Sequence, residues 1–110
     1  MQKLIKNDAL DNVAKLHSED MFFENYLSHD SPNNGSLEER LTNHQIEFKK
    51  SEENLALAYY DAIEAVHGWL NSDAHRSNIL DRRFNFIGSG VYMNSYTQIF
   101  VEKELTNNIN

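Results

Sequence analysis

The 110-residue chain has no cysteine, one proline and one tryptophan. Without thiols there can be no disulfide, no thiolate metal site and no cysteine nucleophile. Basic residues are few. Ten Lys and Arg stand against 17 Asp and Glu, a formal net charge of −7. Such a surface repels phosphate backbones, so nucleic acid is not expected as a partner. The nearest thing to a basic patch, Arg76, Arg82 and Arg83, is too small to change that. Anionic membrane surfaces are disfavoured on the same ground. No apolar run has the length of a signal-peptide core or a membrane span, so any export signal is expected upstream of these residues. Internal repeats, low-complexity segments and linkers are also missing. So are His-Glu-x-x-His, Gly-x-Ser-x-Gly and a phosphate-binding glycine loop.

What remains has a globular balance, 40% apolar and 25% charged. One domain is expected over residues 1–105, burying roughly 65% of its unfolded surface. Residues 106–110 carry no periodic pattern and are expected to be a disordered tail.

Asn7 or Asp8 can cap a first helix, in which Leu10, Ala14, His17 and Met21 recur at helical spacing up to about Tyr26. Residues 28–35 are turn formers apart from His29, and predict a loop. Ser36 and Glu39 form a capping box for a short helix through Leu41, and Asp61 with Glu64 forms another. The second helix should bury Ile63, Val66, His67 and Leu70, with Ala62 and Trp69 widening that face. Ser72 can cap a further helix, Asp73–Leu80. A short strand is expected at Asn54–Leu57. Phe84–Met93 and Tyr96–Lys103 predict a hairpin turning at Asn94-Ser95, with Ile99 and Val101 on one side and Gln98 and Glu102 on the other. Gly88 and Gly90 leave one face of the first hairpin strand bare for another element to approach. Helices before a terminal hairpin make the class α+β.

Five stretches in order resemble one family. Asn25-Tyr26-Leu27-Ser28-His29 resembles its first-helix ending, and Glu53-Asn54-Leu55-Ala56 its Gly-Glu-Asn-(Ile/Leu)-Ala motif. The run from Ala65 to Ser72 resembles its helix ending in Trp-Met-x-Ser. His75-Arg76-Ser77-Asn78-Ile79-Leu80 and Phe86-Ile87-Gly88-Ser89-Gly90-Val91 resemble its His-Arg-x-Asn-Ile-Leu and Ile-Gly-x-Gly segments. The family is the CAP superfamily, the cysteine-rich secretory and pathogenesis-related proteins, in its bacterial SCP-like form. The resemblance covers roughly residues 4 to 103. It implies a three-layer α/β/α sandwich with a small antiparallel sheet and a cleft across its top. There are departures. Glu52 stands where the family has glycine, Asp73-Ala74 replaces a Pro-Gly pair, and Met1–Lys6 is too short for the helix that usually opens the domain. Apolar surface left bare by that missing helix is expected to be covered by a homodimer or an exchanged segment.

The resemblance maps the family's cleft residues onto His29, Glu53 and His75. Ser72 stands where many members have a second glutamate. Two imidazoles and a carboxylate suit a divalent ion, zinc first, with positions left for water. Each residue also has a structural alternative: His29 as a helix-end cap, Glu53 as an acceptor for backbone donors, His75 bonded to Ser72. His17, His67, Trp69 and Arg40 are expected to be structural, Arg40 in a salt bridge, and His44 a solvated loop residue. The reading is a secreted or cell-envelope domain whose cleft takes a metal, a small ligand or an envelope partner. The alternative is a metal-dependent hydrolase using the same cleft, for which only Asp30 and Asp73 are candidate bases.

Overall fold

A computed structural model of the chain describes residues 3–58 and 61–104. The proposed tail, residues 106–110, lies outside them. In chain order the elements are β1 (Ile5–Lys6), α1 (Asp8–Glu24), α2 (Leu37–Asn43), β2 (Lys50–Leu57), α3 (Ala62–Leu70), α4 (Asp73–Leu80), β3 (Phe86–Tyr92) and β4 (Ser95–Glu102). The sheet runs β1-β3-β4-β2. Its three long strands are antiparallel, while β1 lies parallel to β3, which makes the sheet mixed. A two-residue strand has no periodicity to betray it.

Helices cover both faces. On one, Leu10, Val13 and Ala14 of α1 and Leu37 and Leu41 of α2 pack with Ile99 and Val101 in a continuous buried cluster. On the other, Trp69 and Ala65 of α3 pack with Ala58, Ala56, Tyr96 and Ile79. Trp69 also donates its indole N–H to the Leu55 carbonyl at 3.0 Å, so its polar end is satisfied in the core.

The helix termini follow the sequence chemistry. Asn7 caps α1, accepting the Leu10 N–H at 2.9 Å. The helix ends at Glu24, two residues before the expected Tyr26. Asn25 closes it in the left-handed region at φ 58°, with its N–H on the Met21 carbonyl. Ser36 and Glu39 close a reciprocal capping box on α2. Gly35 just before it holds φ 84° and completes the tight turn from Ser31.

Four expectations are corrected. β2 begins at Lys50, four residues before the expected start. It is an edge strand, so Lys50 and Glu52 can face outward while Ser51, Glu53 and Leu55 face the α1 side. β3 begins at Phe86. Phe84 is instead stacked in the core against Phe100, and the Asn85 side chain bonds both backbone groups of Lys103. The hairpin turns at Met93-Asn94, with Met93 left-handed at φ 53°. Finally, α3 buries Ala65 and Trp69. Ile63, Val66 and Leu70 are 75%, 40% and 40% exposed, and His67 is exposed too. The apolar stripe runs more than halfway round this short helix, so periodicity did not fix which side meets the sheet.

Gly88 and Gly90 let α1 settle directly on β3. A Cβ at Gly88 would overlap Leu10 and Asp11, and one at Gly90 would overlap the Ala14–Lys15 backbone. Gly68 in α3 has open space instead. Gly90→Ala should therefore lower stability by at least about 2 kcal/mol, whereas Gly68→Ala should raise it by about 0.5–1 kcal/mol. Urea midpoints of the two variants check the pair.

Candidate functional site

Glu53 sits in the middle of β2, opposite Ile99, with its side chain only 1% exposed. A carboxylate there needs partners. Arg40 of α2, itself buried, supplies a two-pronged contact: its Nη1 donates to Glu53 Oε2 at 2.9 Å and its Nη2 to Oε1 at 3.0 Å. Nη2 also donates to the His29 carbonyl at 2.6 Å. His29 completes the cluster, its Nδ1–H donating to Glu53 Oε1 at 2.9 Å. The His29 side chain is 57% exposed, so it forms the solvent-facing end of a chain that begins at a buried guanidinium.

Charges follow from this geometry. Burial pushes the Glu53 carboxyl up, but the hydrogen bonds from His29 and Arg40 outweigh it and hold the group below the ordinary glutamate range. His29 is pushed above the ordinary histidine value, chiefly by its hydrogen bond to Glu53. In neutral His29 the Nδ1 proton is fixed on Glu53, so Nε2 is a bare acceptor turned away from the carboxylate.

The segment carrying His29 is pinned from behind. His17, buried on α1, donates Nε2–H to the Ser28 carbonyl at 2.8 Å. Ser31 Oγ donates to Asp20 Oδ2 at 2.7 Å, and the Tyr26 hydroxyl donates to the same oxygen. Burial and that bond raise the Tyr26 hydroxyl to about 12. A shallow cavity of about 140 Å3 opens beside His29, with Asp30, Ser36, Glu38, Ser51 and Glu52 around it.

The structure therefore brings His29 and Glu53 together and does not add His75 to them. Neighbouring strand residues point to opposite faces. Asn54, next to Glu53, faces α4, where it donates to the His75 carbonyl at 3.2 Å, donates to Gln98 at 3.1 Å and accepts from Asn78 at 2.9 Å. His75 Nδ1 is hydrogen-bonded to Ser72 Oγ at 2.9 Å, the structural alternative named above. Among the described residues no group of three His, Asp or Glu is arranged to hold a metal ion. The chemistry of the donors agrees: both Glu53 oxygens are engaged, one of them twice, and a guanidinium sits against them. The set His29, Glu53 and His75 does not fit a divalent ion as arranged. Of the two candidate bases, Asp30 borders the small cavity, while Asp73 is paired with Arg76 at 2.6 Å.

Arg40 was legible as a salt-bridge residue, but its partner was not. Asn54 was missed as a network centre. An Asn in mid-strand, where an apolar residue is the norm, was the available signal.

Comparison with known proteins gives a consistent result. The family described as "CAP: Cysteine-rich secretory protein family" matches over residues 1–103. Over 103 residues the chain is 41% identical to the uncharacterized membrane protein YlbC of Bacillus subtilis (strain 168), covering 94% of this chain and 30% of that protein. It superimposes with a TM-score of 0.89 and 43% identity on an extracellular protein containing a SCP domain from Bacillus anthracis str. Ames, covering 91% of this chain and 34% of the other. An outer surface protein of Borrelia burgdorferi shares the fold at a TM-score of 0.82 and 20% identity, over 94% of this chain and 80% of that one. The chain thus spans about a third of the first two relatives. No helix among the described residues is long and apolar enough to cross a membrane.

The two histidines on either side of this cluster should titrate in opposite senses. His29 is raised by Glu53, while His17 is lowered, first by burial. His29 therefore contributes stability that is complete below the unfolded value near 6.5 and is lost as pH rises through its higher folded value. His17 contributes stability present above about 6.5 and lost as pH falls through its lower folded value. NMR titration of the histidine ring protons should place the two midpoints on opposite sides of 6.5. Glu53→Gln, which leaves Arg40 buried without its counter-charge, should cost about 3–5 kcal/mol by urea denaturation.

Proposed function

The chain belongs to the cysteine-rich secretory protein (CAP) family, and from that premise we propose that it is a non-catalytic binding domain of a bacterial extracellular or cell-envelope protein. The observation that carries this is the His29–Glu53–Arg40 chain, which spends a buried ion pair on fixing one exposed imidazole. Glu53 fixes the ring and its tautomer, so Nε2 is presented as an oriented acceptor. Around it Asp30, Glu38 and Glu52 add carboxylates. A cleft lined with acceptors and negative charge suits a ligand rich in donors, a hydroxylated or amine-bearing fragment of an envelope polymer.

Divalent-metal binding through His29, Glu53 and His75 has less support, because Glu53 would have to release both Arg40 and His29 before it could ligate. The metal-dependent hydrolase loses its carboxylate ligand for the same reason. His29 Nε2 alone offers a base without a paired nucleophile.

Soluble peptidoglycan fragments titrated into isotopically labelled protein test the reading. Amide shifts should centre on His29, Ser36, Glu38 and Ser51, and the fragments should be recovered uncleaved. Binding should weaken as pH falls through the raised His29 value, since protonation removes the Nε2 acceptor and cancels negative charge. His29→Ala should abolish it. Absence of shifts at these residues at every pH would remove the reading. In a parallel zinc titration near neutral pH, the expected result is no stoichiometric uptake. Tight uptake that is lost in both His29→Ala and His75→Ala would restore the metal instead.

A further inference from the structure

A second and larger cavity, of about 520 Å3, opens between α1 and α2, a volume suited to a small molecule. It shares no residue with the cavity beside His29. Leu16, Glu19, Asp20 and Phe23 line it at i, i+3, i+4 and i+7, one face of α1, and Tyr92 at the end of β3 completes that wall. The middle of this face is acidic. Beside the acid stands a group of rings left in contact with solvent. Phe23 is 65% exposed, and its ring centroid lies 5.1 Å from that of the half-buried Tyr92. Phe22, 40% exposed, touches both rings with centroids 5.4 Å away.

Carboxylates and rings attract the same kind of group. The Glu19 carboxylate is half-buried and has no hydrogen-bond or ion-pair partner among the described residues. Asp20 uses only its Oδ2, which accepts from Tyr26 and Ser31. The free oxygens of both acids are open to solvent, unlike the sealed Nδ1 of His17 and Nε of Arg40. The cation of this wall, Arg40, is 5% exposed and has both Nη atoms on Glu53, so its charge is already met. Aromatic faces carry the negative part of the ring quadrupole and draw cations too. An anion would be repelled here, and a neutral molecule would leave the carboxylates unused. A strongly hydrated inorganic ion would gain nothing from the rings. An organic cation uses both.

We propose that this cavity binds a small organic cation with a flat apolar body, its charged head on the Glu19 and Asp20 carboxylates and its body against Leu16, Phe23 and Tyr92. The site is separate from the His29 cleft and does not depend on a ligand there.

Benzamidinium, benzamide and benzoate have nearly the same shape and carry a positive charge, none and a negative charge, so together they isolate charge. They are titrated into isotopically labelled protein at about pH 8, where ordinary imidazoles are neutral. Benzamidinium should move the amide signals of Leu16, Glu19, Phe23 and Tyr92 saturably and leave those of Ser36 and Ser51 in place. It should bind about tenfold or more tighter than benzamide, with benzoate the weakest. Raising the salt from about 0.02 M to about 0.3 M should weaken benzamidinium and spare benzamide. Glu19→Gln keeps the shape of the wall and removes one charge, so it should weaken benzamidinium about threefold to tenfold. Phe23→Leu should weaken it about threefold through loss of the ring face. Phe23 is largely exposed, so the fold tolerates that change and this variant serves if Glu19→Gln does not fold. No saturable shift at the four residues overturns the proposal. So does benzamide or benzoate binding as tightly as benzamidinium, or benzamidinium affinity unchanged in a folded Glu19→Gln or in Phe23→Leu.

Discussion

The buried pair between Arg40 and Glu53 is the constraint around which the functional end of this domain is arranged. Both side chains are withdrawn from water, which costs several kcal/mol per ion before any attraction is counted. The cost is offset because each group is nearly saturated. The carboxylate takes two bonds from the guanidinium and one from His29, and the guanidinium adds a bond to the His29 carbonyl. An apolar pair of similar size could well hold α2 against β2 at least as firmly. It could not fix the direction of an imidazole. The retention of charge here makes sense as positioning, with the loop from Asn25 to Ser36 as the thing positioned.

That loop is otherwise short of stabilising contacts. Leu27, His29, Asp30, Pro32, Asn33 and Asn34 are exposed, and residues 25–36 contribute no side chain to the main apolar cluster. Its order comes from polar anchors driven into it from α1 and α2: His17 on the Ser28 carbonyl, Asp20 on Ser31, Arg40 on the His29 carbonyl. These helices can serve as rigid anchors because α1 lies directly on β3. Gly88 and Gly90 remove the side chains that would hold it off, and Ser18 then reaches the Gly90 carbonyl at 3.1 Å while Thr97 donates to Ser18 at 2.8 Å. Two missing Cβ atoms on a strand thus bear on how firmly a loop across the helix is held.

Much of this was legible in the sequence where the signal is local. The Ser36 and Asp61 caps, the terminal hairpin, the glycine pair and the buried tryptophan each rest on a few adjacent residues whose chemistry admits few conformations. The misreadings arise where tertiary context decides. Lys50-Ser51-Glu52-Glu53 does not look like a strand, because an edge strand may carry charge outward and a paired carboxylate inward. The α3 stripe is broad enough to be turned either way. The ligand set also turns on tertiary context. Motif matching placed Glu53 and His75 in one cleft, yet strand alternation gives Glu53 to one face and Asn54, the residue that touches the His75 helix, to the other.

The fate of the two histidines near Arg40 shows how little separates a contact residue from a structural one. His29 and His17 bracket the same guanidinium, and both hold one ring nitrogen in a strong hydrogen bond. The partner decides the outcome. A carboxylate accepts from His29 and draws its charged form into stability, while a neutral carbonyl accepts from His17 and burial then favours the uncharged ring. One imidazole is left outside with a free Nε2, a candidate for meeting a ligand from solvent. The other is left inside, its Nδ1 sealed from solvent and without a partner among the described residues. Arg40 has its Nη atoms committed to the His29 cluster, while its Nε is buried without a partner among the described residues. A single guanidinium thus fixes the carboxylate that orients His29 and, through the His29 carbonyl, the backbone next to the Ser28 carbonyl that His17 holds.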